Sequence, residues 1–117
     1  MRPIDLWTAS VASGREYLFR VYKRDAPFKA EPALYLLGYH HPKGHVGGNT
    51  VDPIYLGMTD DLAARLQDHP HPDCLRYEMF NAVCVVQDVA PEERMDCLRD
   101  LAEALFLPCG GDGVEKG

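Results

Sequence analysis

No stretch of this 117-residue chain is apolar for long enough to cross a membrane. The opening Met1-Arg2-Pro3-Ile4-Asp5 lacks the basic-then-apolar order of a secretory signal. Together these absences lead to the expectation of a cytoplasmic protein with no membrane partner. Cysteine is sparse, and Cys74, Cys84, Cys97 and Cys109 include no CxxC pair, which argues against a zinc site. In a cytoplasmic chain they are expected to be reduced, in the core or at its rim. Positive charge is short as well: twelve Lys and Arg face eighteen Asp and Glu, a formal net charge of -6. Phosphate contacts draw on Lys and Arg, so nonspecific binding of a polyanion is disfavoured.

The deficit is uneven, since residues 1–50 sum to +3 and residues 51–117 to -9. A nucleic-acid footprint would therefore draw on the segment from Arg15 to Lys29, with Arg20, Lys23 and Arg24 at its centre, joined by Arg65 and Arg76. The same side chains also suit an ordinary solvated strand face. With 46% hydrophobic residues the chain can bury one modest core, as a single domain.

Residues 1–13 predict a short helix or an irregular lead-in. Residues 16–24 alternate Tyr17, Phe19 and Val21 with Leu18, Arg20 and Tyr22, as a half-buried strand does; this strand belongs to an N-terminal extension, residues 1–32. Residues 34–39 form a largely apolar, central strand. Residues 40–53 carry Pro42, Gly44, Gly47, Gly48 and Pro53 and read as a loop. His40, His41 and His45 in that loop have only Asp52 nearby and make a poor metal site. Residues 54–57 predict a strand and residues 60–67 a helix capped by Thr59 or Asp60, ended by His69-Pro70-His71-Pro72. A strand over 82–87 and a helix over 91–107 follow, the helix burying Met95, Leu98, Leu101, Ala102 and Leu105. Residues 111–117 read as a disordered tail. The fold class is α/β of the α+β type: a small mixed or antiparallel three-stranded sheet flanked by helices, extended by the strand at Glu16.

One run concentrates chemistry. Tyr55-Leu56-Gly57-Met58-Thr59-Asp60-Asp61-Leu62 leads from a strand into a helix, and Arg65 and His69 follow one turn apart on one face. A tyrosine at a strand end and an arginine on the next helix can converge on one anion, and a guanidinium fork suits phosphate. Asp-Leu-x-x-Arg-Leu is equally the start of an ordinary amphipathic helix with Arg65 solvated.

Taken together, Ala33-Leu34-Tyr35 and Tyr55-Leu56-Gly57 resemble the paired motifs of the GIY-YIG nuclease module. The resemblance spans residues 33–110 and continues through His69, the strand from Asn81, Arg94, Asp100-Leu101 and Pro108-Cys109. Twenty residues separate the two tyrosines, more than is usual there. The resemblance implies a site in which Tyr35 and Tyr55 orient or deprotonate a water, Arg65 binds the phosphate and His69 is their polar neighbour. It also implies a metal-binding glutamate four residues after Arg94, where this chain has Leu98, and an asparagine where it has Gly110. Leucine cannot hold a hard cation. Leu98 is then expected beneath Tyr35, Tyr55 and Arg65 as a degenerate metal position, with no cofactor bound. The expected function is that of a GIY-YIG-like pseudoenzyme that binds DNA weakly, or another protein. The alternative is an active Mg²⁺- or Mn²⁺-dependent DNA endonuclease or phosphodiesterase, which would need Glu93, Asp96, Asp100 or Glu103 moved into place. A third reading takes the acidic second half as a protein-contact surface.

Overall fold

A computed structural model of the chain describes residues 2–11 and 13–112. It opens on a strand, β1 (Asp5–Ser10), where a helix or irregular lead-in was expected. Its hairpin partner β2 (Glu16–Lys23) supplies the reason. Trp7 pairs with Phe19 and Ala9 with Tyr17, so the segment gains a cross-strand apolar face that its own composition does not advertise. The Trp7 and Phe19 rings lie 5.5 Å apart.

β3 (Ala33–Pro42) and β4 (Asn49–Thr59) form a second, longer hairpin. Most of the expected 40–53 loop is strand: pairing runs out to Pro42 opposite Asn49, and only a tight tip with a 3-10 turn at Gly44–Val46 remains. The register shifts at Leu37/Gly38, beside Pro53, a bulge that places both Ile54 and Tyr55 in the same hydrophobic cluster. β5 (Ala82–Val86) inserts between the hairpins and pairs with β2 and β3, giving the order β1-β2-β5-β3-β4. The sheet is thus antiparallel and five-stranded rather than three-stranded, and the N-terminal strands are part of it.

Three α-helices complete this α+β domain: α1 (Leu62–Gln67), α2 (Pro72–Tyr77) and α3 (Arg94–Ala104). The second was not expected. α1 ends at Gln67, before Pro70, and Pro72 opens the next helix, because proline fits a first helical turn where no amide partner is needed. α3 is shorter than residues 91–107, since Pro91–Glu93 is a 3-10 turn and Leu105 is already extended. Among the described residues no helix is long and apolar enough to cross a membrane.

Alternation along β3 divides the core. Leu34 and Leu36 pack with Phe19, Val21, Leu56 and the α3 residues Cys97, Leu98 and Leu101. Ala33, Tyr35 and Leu37 pack on the other face with Tyr55, Val83 and the helix residues Leu62 and Leu75. Leu98 is therefore a core leucine, 3% exposed, with the sheet between it and the two tyrosines. This corrects the expectation that it underlies them: α3 packs on the opposite face.

Two of the cysteines depart from expectation. Cys84 and Cys97 are buried free thiols, as expected, whereas Cys74 of α2 and Cys109 are joined in a disulfide. Of the tail expected to be disordered, Gly111 and Asp112 are ordered against β4, through a parallel bridge to Leu56; residues 113–117 lie outside the described residues.

Candidate functional site

Tyr35 lies in the middle of β3, fully buried, directly opposite Gly57 of β4. A Cβ at Gly57 would sit 2.5 Å from both Cζ and Oη of Tyr35, so only glycine lets the ring lie across β4. The Tyr55 ring is its neighbour, with centroids 6.3 Å apart. Beyond β4, Thr59 Oγ1 accepts the Asp61 amide, and Asp61 caps α1 by accepting the Ala64 amide at 3.0 Å. The cap is Asp61, one or two residues later than expected. Capping there sets the rotation of α1 that turns Arg65 toward the tyrosines and buries Leu62.

Arg65 Nε donates to the Tyr35 hydroxyl at 3.1 Å. His69, just past the end of α1 and 8% exposed, places Nε2 3.1 Å from the same hydroxyl and stands edge-on to the Tyr55 ring. The structure thus brings Tyr35, Tyr55, Arg65 and His69 into one cluster.

The anion that Arg65 and Tyr55 share comes from the chain itself. Residues 109–112 run along the free edge of β4: Cys109 donates to the Ile54 carbonyl, Leu56 to that of Gly110, and Asp112 to that of Leu56. Gly110, the residue expected in place of an asparagine, turns this segment with a φ of 79° that suits glycine. Asp112 Oδ1 accepts from Arg65 Nη2 at 2.6 Å and from the Tyr55 hydroxyl, and Oδ2 accepts the Met58 amide at 3.0 Å. Sequence reasoning missed Asp112. The one signal was an acid set among glycines after a cysteine, Cys109-Gly110-Gly111-Asp112-Gly113.

Burial, reinforced by the Arg65 charge, lowers the His69 pKa to about 4, so the imidazole is neutral at pH 7. Burial raises Tyr35 to about 12, with Arg65 pulling the other way. Tyr55 is raised too, by burial and by the adjacent Asp112 carboxylate. Both phenols keep their protons. The His71 amide donates to His69 Nδ1 at 3.4 Å, so the neutral ring carries its proton on Nε2 and donates it to the Tyr35 oxygen, which accepts from Arg65 as well. Chemically the cluster offers a guanidinium, the Tyr55 phenol and a backbone amide around one carboxylate, with the Tyr35 phenol and a neutral imidazole behind the guanidinium.

The three basic residues of the expected nucleic-acid footprint are divided. Arg20 and Tyr22 pair across to Val85 and Val83, on the sheet face that carries Tyr35. Lys23 pairs with Ala82 of the other cluster and belongs to the α3 face. Arg20 lines a cavity of about 330 Å³ with Tyr22, Phe28 and Lys29. Arg24 lies over the Phe80 ring and, with Arg76 and His69, lines another of about 230 Å³. Leu62 and Leu66 of α1 face these cavities while Arg65 turns away to Asp112. Arg20 and Arg24 therefore border the cluster without joining it.

The residues present do not fit Mg²⁺ or Mn²⁺. Such ions take several oxygen ligands, yet among the described residues Asp112 is the sole carboxylate bonded into the cluster and both its oxygens are engaged by protein donors. Among the described residues no three His, Cys, Asp or Glu side chains group as metal ligands would. Asp100 is bound to the Tyr17 hydroxyl at 2.7 Å, and Glu93, Asp96 and Glu103 are exposed. No protein-family model, curated protein or solved structure matches this chain.

Proposed function

We propose that this domain binds the phosphate backbone of a nucleic-acid strand through Arg65, Tyr55 and Tyr35, with no metal-dependent cleavage step. The observation that supports it most is the convergence of the Arg65 guanidinium, the Tyr55 hydroxyl and the Met58 amide on the one carboxylate of Asp112. A carboxylate and a phosphodiester present the same kind of edge to a guanidinium, two anionic oxygens side by side. Donors preorganised around the first suit the second, which would enter by displacing Asp112. On the same sheet face Arg20, Lys29 and Arg24 stand among Tyr22, Phe28 and Phe80, the mixture of charge and rings on which single strands bind. The reading keeps the phosphate-facing half of what the GIY-YIG resemblance implies and leaves out its metal.

Fluorescence anisotropy of short single-stranded and duplex oligonucleotides across a salt series tests it. Binding is expected to be weak, salt-dependent and in favour of the single strand. Asp112→Asn, which removes the competing charge, should tighten it, and Arg65→Ala should weaken it by about tenfold or more, the loss of one good charged contact. Arg20→Ala with Arg24→Ala should weaken it as well, while Lys23→Ala should not. Binding that is indifferent to salt or to Arg65 would overturn the assignment.

A further inference from the structure

Asp112 reaches its partners only because residues 109–112 lie along β4, and that segment starts at a covalent anchor. Cys109 is bound to Cys74 of α2, and three residues later Asp112 fills the donor cluster. Between anchor and acid stand Gly110 and Gly111, which bring no side chain to hold the segment and lose the most conformational freedom on being ordered. Beyond the disulfide, the segment is held by its backbone bonds to Ile54 and Leu56 and by the Asp112 carboxylate. Before Cys109 the chain runs extended from Leu105 past Phe106, 83% exposed, with Leu107 packed against the core and its carbonyl accepting the Gly110 amide. A tether so close to a glycine-rich strap raises the fraction of time the strap is seated, because it removes most of the freedom that seating would cost.

We propose that the Cys74–Cys109 disulfide is a redox latch on the anion site. A dithiol reductant passes two electrons and two protons to the bond: its own two thiols close into a disulfide, and Cys74 and Cys109 become free thiols. The strap then leaves the edge of β4, and Asp112 leaves Arg65 and Tyr55. Oxidised protein is self-occupied and reduced protein is open. That opening admits a phosphate ligand only if the phosphate-binding reading holds, whereas release of the strap stands apart from it.

The test uses the full chain, oxidised and after treatment with excess dithiol, in two measurements. Amide hydrogen exchange is followed at Leu56, Met58 and Asp112, whose N–H groups are bonded within the strap contact, and at Leu36 and Val83 in the middle strands as internal controls. Anisotropy of a 5′-phosphorylated single-stranded oligonucleotide gives affinity. On reduction, exchange at Leu56, Met58 and Asp112 should quicken by about tenfold or more while the controls hold, and affinity should rise by a similar factor as the competent fraction grows. Cys74→Ser with Cys109→Ser should reproduce the reduced state without reductant, and Asp112→Asn should bind tightly in both redox states. Unchanged exchange at Leu56 and Met58 overturns the latch, as do free thiols at Cys74 and Cys109 in air-oxidised protein. Loss of protection at Leu36 and Val83 together with the strap also overturns it, since the bond would then be a global staple. Strap release with no binding by any form, Asp112→Asn included, leaves the latch standing and refutes the phosphate reading instead.

Discussion

Arg65 and Asp112 meet at 2.6 Å, one from the last turn of α1 and the other from a strap laid against the far edge of β4. Each side chain is more than two-thirds covered, so their attraction is screened less than that of a surface pair. A double-mutant cycle of Arg65→Ala and Asp112→Ala, read by urea denaturation, should give a coupling of about 1–2 kcal/mol. A coupling near zero would mean that the pair adds nothing to the seating of the strap.

His69 ties stability to pH. Its folded-state pKa of about 4 lies below the ordinary 6.5, so protonation favours the unfolded chain. The contribution of the neutral ring is complete above about pH 6.5 and is lost as the pH falls through that interval toward 4, by about 2–3 kcal/mol. Unfolding free energies measured across this range should fall accordingly, and His69→Gln should remove most of the slope. A wild-type profile that stays flat down to pH 4 would refute burial of a neutral imidazole.

Gly57→Ala should displace Tyr35. The new methyl would sit 2.5 Å from the phenol ring, and with Leu37, Tyr55 and Leu62 packed on the same face the ring has to swing outward. A cost of about 1–3 kcal/mol follows from overpacking. The hydrogen bond to His69 Nε2 should be lost with it, so the His69 titration, followed by NMR, should move up toward the ordinary range. Wild-type stability together with an unmoved His69 would show that the ring does not lie across β4.

Leu98 is a packing residue. Leu98→Ala should cost about 2–4 kcal/mol, and Leu98→Glu more, because a carboxylate would be forced into the cluster with Leu34, Leu36 and Phe19. Calorimetric titration of the Leu98→Glu protein with Mn²⁺ is expected to show no site. Stoichiometric Mn²⁺ binding by a stable Leu98→Glu protein would place α3 on the tyrosine face after all.

What the sequence determined by itself was local. The alternation in Glu16–Lys23 is the mark of a half-buried strand and the short unbroken apolar run through Leu34 and Leu37 that of a strand covered on both faces, and both are strands. Tyr35, Tyr55, Arg65 and His69 were legible as a group because a hairpin and the helix leaving it bring them together over short distances in the chain. The tertiary structure decided everything that depends on residues far apart. β1 is a strand because Phe19 and Tyr17 lie opposite it. Lys23 is separated from Arg20 by the parity of the β2–β5 register. Leu98 has the same helical spacing whichever face of the sheet α3 covers, so its pattern reveals that it is buried but not against what. Cys74 and Cys109 are 35 residues apart with no spacing motif, and Asp112 sits in a glycine-rich run whose composition reads as disorder. Its order comes from the unpaired edge of β4 and from two donors, Arg65 and Tyr55, each some fifty residues away in the chain.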